Sequence, residues 1–318
     1  MSRLPPNPLS EAALKRYQTR AQQQVRPGLG GSHLTRRQGQ SLDFREFSPY
    51  VPGDDIRHVD WRASARYGGP QDLLVRKYMA EEQYSLVISL DTRPTMLLPD
   101  ALPKLLIASW LAEALAWVAL RSGDRVVLHQ LFSPVAQEPL ALRGASRTGQ
   151  IRNAVERCLP PTAGEPSPAS EVLNLDVLQP YLPPTALWLL VTDLYFTAEQ
   201  AEKLAQRIVQ AQNGFRQVLL VELDSWPYEQ AWVGIGARWI EGPGLLAERP
   251  QYEITQETLN KVETTIHARK IHFLNLLHRT QFDTSWAWPQ SSLDSANFFQ
   301  MQFAKDKAIQ NLFVRKTL

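Results

Sequence analysis

The sequence predicts an α/β fold, with a central, mostly parallel sheet flanked by helices. Three observations carry this. "SLVISLD" (Ser85 to Asp91), "ALWLLVTD" (Ala186 to Asp193) and "QVLLVEL" (Gln217 to Leu223) are continuous apolar runs of strand length, the pattern of strands buried on both faces. Helical stretches alternate with them. That order requires crossover connections, and hence parallel pairing.

The elements follow in order. "SEAALKRYQTRAQQQV" predicts a short helix with Ser10 as N-cap. "RPGLGGSHLTRRQGQS" has the glycines of a loop. "LLVRKYMAEEQYSL" leads as a strand into the sheet. Pro103 to Arg121 is helical and closes at "SGDR" on a glycine. "RVVLHQL" is a strand, and "EPLALR" pairs beside it as a hairpin or edge. "SRTGQIRNAVERCL" is a helix, "PPTAGEPSPAS" a long loop, and residues 198–212 a helix ending at "QNG". Beyond Leu223 the strand signal weakens. "WVGIGARWIEGP" suggests one or two more strands, and Thr255 to Thr280 and residues 290–318 read as helices. The expected organisation is a basic N-terminal arm (1–38), a charged module (39–84), the sheet domain (85–244) and a C-terminal helical region (245–318).

Composition narrows the function. The 318 residues carry 34 Lys+Arg against 32 Asp+Glu, a net charge of +2, so no global polyanion-binding footprint exists and nucleic acid is not an expected partner. The single cysteine, Cys158, excludes an intramolecular disulfide and fits a reducing compartment. The N-terminus lacks the apolar core of a signal peptide. The most apolar stretch, Leu105 to Leu120, contains Glu113 and is shorter than the roughly 20 residues a membrane span needs. The expectation is a cytoplasmic protein without a transmembrane segment. No Walker motif, GxSxG, HExxH, CxxC or GxGxxG occurs.

Two aspartates, Asp91 and Asp193, end central strands. Ligands of open parallel sheets bind at the carboxyl ends of the strands. Two negative charges in one crevice need a cation, and oxygen ligands suit a hard ion such as Mg²⁺. The stretch after Asp91, "DTRPTM", is similar to the D-x-S-x-S opening of the metal-ion-dependent adhesion site in von Willebrand factor A domains. Asp91 matches the aspartate and Thr95 the second hydroxyl, while Arg93 stands at the first hydroxyl position. The resemblance implies a loop hydroxyl, for which Ser167 is the candidate, and a second aspartate, matched by Asp193. Arg93 leaves two readings open. Either Asp91, Thr95, Asp193 and Ser167 hold Mg²⁺, or the Arg93 guanidinium does the cation's work without a metal.

The densest mixture of charge and aromatics is "YVPGDDIRHVDWRASAR", from Tyr50 to Arg66. Proline and glycine set a turn, an aspartate of the pair Asp54/Asp55 caps the next one, and Asp and Arg in such numbers suit mutual pairing beside Trp61, expected to dock on the core. Read as chemistry, Asp54 and Asp55 with His58 offer acid/base or metal-binding groups, but no nucleophile accompanies them. The segment resembles the bacterial "domain of unknown function 58" family. Gly39, Asp43, Phe44, Tyr50, Gly53, Asp54, Asp55, Arg57, Asp60, Trp61, Ala65 and Arg66 fall on that family's signature, which precedes a von Willebrand A-like domain. Ser48-Pro49 replaces the family's arginine before the tyrosine. The resemblance implies a von Willebrand A-like, Rossmann-type sheet domain and partnership with a MoxR-type AAA+ ATPase, with no established enzyme activity. The expected function is therefore a non-enzymatic interaction or adaptor protein with a degenerate metal site. The rival is a metal-dependent hydrolase using Asp91, Asp193 and the Asp54/Asp55 pair.

Overall fold

Apolar runs that leave no face for water end up where both faces are covered. The computed structural model describes residues 4–19, 42–51, 56–67, 73–80, 84–99, 103–133, 137–159, 172–184, 186–214, 216–239, 251–289 and 294–315. The chain divides into two units, Met1–Gln22 with Tyr84–Leu318, and Gln23–Gln83.

The first unit begins with α1 (Glu11–Leu14), whose cap Ser10 accepts from Ala13 N at 3.2 Å. A strand, β1 (Tyr17–Thr19), follows where the sequence predicts a longer helix. The second unit holds β2 (Leu42–Pro49), α2 (Trp61–Tyr67) and β3 (Leu74–Ala80). Its two strands pair antiparallel, with a register shift between Phe44 and Glu46.

The sheet domain then runs β4 (Ser85–Leu90), α3 (Lys104–Arg121), β5 (Arg125–Gln130), β6 (Leu140–Arg143), α4 (Ile151–Arg157), β7 (Ala186–Thr192), α5 (Ala198–Asn213) and β8 (Gln217–Asp224). After it come α6 (Trp226–Val233), β9 (Gly236–Trp239), β10 (Gln251–Ile254), α7 (Gln256–Leu276), β11 (Thr284–Ala287), α8 (Ser295–Lys305), α9 (Lys307–Gln310) and β12 (Phe313–Arg315). The main sheet has the order β11-β8-β7-β4-β5-β6 and is parallel except for the β5–β6 pair. This is the α/β, mostly parallel, helix-flanked class that the sequence predicts.

The two faces of the sheet are covered differently. On one, α3 is buried all round apart from Leu106 and Arg121, because it also packs against α1, α4, α8 and β1. On the other, α5 buries Ala201, Leu204, Ala205, Ile208 and Ala211 and keeps a polar outer face. Its start is a capping box between Thr197 and Gln200. The predicted helix over 290–318 breaks at Asp306. That carboxylate caps α9 through Ile309 N at 3.0 Å and accepts from the Trp286 indole at 2.6 Å. The chain after it, β12, pairs antiparallel with β1. Strands β9 and β10 form their own two-stranded sheet. Among the described residues, no helix is long and apolar enough to cross a membrane.

Strand order fixes where a site can lie. From β4 the chain crosses to β5 on one side, and the later strands β7, β8 and β11 build out on the other. The switch point is therefore the gap at the carboxyl ends of β4 and β7.

Candidate functional site

Asp91 follows β4 at that gap, and Asp193 follows β7. The backbone ladder carries one step past β4, since Asp91 N donates to Val191 O at 3.0 Å. Both carboxylates are completely buried. Two bare carboxylates cannot share such a place, so the charges around them decide the chemistry.

Arg93 supplies the first cation. Its Nη2 lies 2.6 Å from Asp91 Oδ2 and 2.9 Å from Asp193 Oδ1, bridging the pair. Its Nε lies 3.0 Å from Asp91 Oδ1, and its Nη1 donates to Tyr195 O at 2.7 Å. Phe132 and Phe196 hold the guanidinium at 4.5 and 4.8 Å from their ring centroids. The fork geometry of arginine suits this two-carboxylate bridge, which a lysine could not span.

Lys104 supplies the second. It is the first residue of α3, where the helix dipole disfavours a cation, and its side chain is fully buried. Its Nζ sits 3.1 Å from Asp193 Oδ2 and 3.1 Å from Glu229 Oε1. The Tyr195 ring lies beside it, 4.5 Å from the nitrogen to the centroid. Burial alone would raise the Asp193 carboxyl, but Lys104 and then Arg93 outweigh it and hold the group below the ordinary carboxylate value.

The remaining lone pairs are also taken. Thr192 Oγ1 donates to Asp91 Oδ2 at 2.7 Å, and Tyr195 N donates to Asp193 Oδ1 at 3.0 Å. Leu194 between them adopts φ +61, a left-handed backbone that a leucine rarely takes. Its amide donates to Thr192 Oγ1 at 3.0 Å. The Thr95 hydroxyl stands next to Asp193 closely enough to favour its charged form, yet reaches no hydrogen-bonding geometry.

The structure thus brings together Asp91, Arg93, Thr95 and Asp193. Ser167 lies outside the described residues, as do Gly53, Asp54 and Asp55. Among the described residues, no group of three or more His, Cys, Asp or Glu is placed to hold a metal ion.

The signature stretch sits in the second unit. Asp60 caps α2, its Oδ1 accepting from Arg62 N and Ala63 N, both at 3.0 Å. Ser64 Oγ ties that helix to β3 through Leu74 N at 2.8 Å. Tyr50 N donates to Leu73 O at 2.7 Å. Arg57 and Arg66 are exposed. Trp61 is 62% exposed, which corrects the expectation of a docked ring: at the first position of a short helix it points away from the buried Val59, Ala63 and Val75.

A family model described as "Protein of unknown function DUF58" matches residues 46–223. That span holds the signature from Tyr50 to Arg66, both strand-end aspartates, Arg93 and Lys104; Gly39, Asp43 and Phe44 precede it. The chain belongs to this family. Among solved structures, it is similar to the crystal structure of the conserved hypothetical protein BatB from Bacteroides thetaiotaomicron, at 13% identity and a TM-score of 0.36. The match covers 72% of this chain and 98% of that one. Similarity at that level bears on neither the site nor the function of the DUF58 protein. No curated protein matches it.

Sequence reasoning misses Lys104, Glu229, Thr192 and Tyr195. For Lys104 a signal existed: a lone lysine opening an otherwise apolar helix, just after a strand-end aspartate, needs a buried acid. Glu229 gave none, because its place depends on how α6 folds back over the strand ends.

Proposed function

We propose that the protein is a non-enzymatic interaction protein whose adhesion-type crevice is closed by its own cations. The observation that carries this is the Arg93 bridge, with Nη2 at 2.6 Å from Asp91 and 2.9 Å from Asp193. In a von Willebrand A-like reading of the sheet, this is where a divalent ion would sit. The donor set does not fit one. Each oxygen of both aspartates already accepts from a guanidinium, an ammonium, a hydroxyl or a backbone amide, and two permanent positive charges occupy the crevice. Of the candidate ligands among the described residues, the Thr95 hydroxyl alone is left over, and one neutral oxygen is no Mg²⁺ site.

The same geometry disfavours the metal-dependent hydrolase. Hydrolysis through a metal needs an open coordination position and an activated water, whereas here the acids serve to hold the cations. No other described group near them offers a nucleophile paired with a base. The crevice works instead as a rigid link between the strand ends, α3 and α6, and it shapes the carboxyl-end face as a docking surface.

The partner that family resemblance implies is a MoxR-type AAA+ ATPase. The test is affinity co-purification of the tagged chain from its native cell, with and without EDTA, followed by mass spectrometry. Recovery of an AAA+ ATPase in both conditions supports a metal-independent adaptor. Recovery only without EDTA, or none, contradicts it.

A further inference from the structure

A cavity of about 460 Å³ opens on the carboxyl-end face, between the turn after β4, the start of α6 and one face of α7. That volume is within the range of small-molecule sites, roughly 300–1,000 Å³. Leu98, Val262 and Ile266 line it with apolar surface, and Tyr195 and Trp226 add aromatic rings. The one acid of this lining comes from the locked crevice, and Lys261 and Arg269 of α7 are its cations. Glu229, 13% exposed, is the outermost of its acids and forms part of the cavity wall.

Two features mark this wall as incomplete. The first is charge. Among the described residues, Asp91, Asp193 and Glu229 form ion pairs with two cations, Arg93 and Lys104, so the buried cluster sets three acids against two bases. Glu229 Oε1 accepts from Lys104 Nζ at 3.1 Å and from the Ser225 hydroxyl, while Oε2 has no hydrogen bond among the described residues. The Tyr195 phenol senses the excess: burial raises it, and the charges of Glu229, Asp193 and Asp224 raise it further. The second feature is unmet hydrogen bonding. The buried Trp226 indole N–H has no acceptor, and the Thr95 and Tyr195 hydroxyls stand beside Asp193 and Ser225 without reaching hydrogen-bonding geometry. Buried polar groups left this way are completed by ordered water or a ligand; the two hydroxyls can accept from a cation's N–H, whereas the indole N–H needs an acceptor.

We propose that this cavity binds a primary alkylammonium group, its aliphatic stem along Leu98, Val262 and Ile266 and its charge against Glu229. A charge-assisted bond to a half-buried carboxylate is among the stronger polar contacts available, and an aromatic lining favours a cation over an anion. The cations of the same lining, Lys261 and Arg269, stand at exposed positions of α7. Lys261 is paired with Glu257 at 2.8 Å, and Arg269 is exposed to screening by salt. The proposal deepens the interaction reading of this face, and rests on it only where the amine is a lysine of a partner protein.

The test is calorimetric titration of the full chain with pentan-1-amine, pentanoate, pentan-1-ol and a capped pentapeptide carrying one central lysine among alanines. The amine should bind saturably and pentanoate should not. Glu229→Gln should weaken the amine at least about tenfold. Val262→Trp, which fills the cavity from an exposed helix position and touches no ion pair, should abolish binding even if Glu229→Gln fails to fold. Binding of both amine and peptide assigns a partner's lysine; binding of the amine alone assigns a free amine. No amine binding, equal binding of pentanoate or pentanol, or amine binding unchanged by both variants would overturn the proposal. Failed co-purification of an ATPase with amine binding intact would remove the adaptor reading and leave this site standing.

Discussion

Lys104 Nζ lies 3.1 Å from Asp193 Oδ2, and neither side chain is exposed at all. A lysine at a helix start, out of water and against the dipole, persists only because acids meet it. With the Arg93 bridge, this pair leaves both aspartates met by buried cations, in what the proposed reading takes as the place of a metal. The cluster ties the strand ends to α3 and α6 and leaves the Glu229 carboxylate on the cavity side.

Lys104→Met keeps volume and helix propensity but strips Asp193 and Glu229 of their cation. Removing one member of a buried pair costs about 3–5 kcal/mol. Urea unfolding should show a loss of that order. Lys104→Met with Asp193→Asn should lose less than the sum of the single variants, because neither then leaves a stranded charge. Strict additivity would mean that the two groups do not interact as their geometry requires.

The acid limb of stability should report on Asp193. Its folded carboxyl is held low by Lys104 and Arg93 against the burial that would raise it. A depressed carboxyl stabilises the fold above the unfolded value, about 3.9, and the contribution disappears as pH falls through the folded value. Urea midpoints measured between pH 5 and pH 3 should fall more steeply in the wild type than in Asp193→Asn. Parallel slopes would contradict the assignment.

A second pH effect comes from the core. His129 is fully buried, its Nδ1 2.8 Å from Ser89 Oγ and its Nε2 2.7 Å from Asn174 O. Burial pushes its pKa down to about 4. The unfolded chain, with an ordinary value of about 6.5, binds a proton in that interval and the folded chain does not, so stability rises from pH 4 to pH 6.5 and is level above. Moving from pH 7 to pH 5 should cost about 2 kcal/mol through this group. His129→Gln should abolish that loss, measured by urea unfolding at the two pH values; an unchanged loss would refute the buried neutral imidazole.

The lock also predicts its own removal. Arg93→Ser restores the missing hydroxyl of the adhesion-type pattern, but Lys104 still occupies Asp193. Only Arg93→Ser with Lys104→Met together should gain Mg²⁺-dependent thermal stabilisation. Stabilisation by Mg²⁺ in Arg93→Ser alone would show that Lys104 is not part of the closure.

What the sequence revealed follows from how local each signal is. The buried strands "SLVISL" and "ALWLLVT" could be read because burial on both faces leaves an unbroken apolar run, and their terminal aspartates followed directly. Strand β11, "TSWA", could not: four residues with two hydroxyls carry no period, and they become a strand only because β8 offers an edge to pair with. The short β1 was hidden in the same way, being set by its pairing with β12 across the whole chain. Arg93 was legible as a disturbance of a motif. Lys104 and Glu229 were not, since what defines them is a meeting of α3, β7 and α6 that no spacing encodes. Trp61 misled because an aromatic among charges suggests burial, while its position at the start of α2 turns it outward.

The central claim is that Arg93 and Lys104 occupy the place of a metal. Calorimetric titration of Mg²⁺ into the wild-type chain tests it most directly. The closed crevice predicts no saturable heat and no shift in melting temperature. Saturable binding that Asp91→Ala abolishes would contradict it.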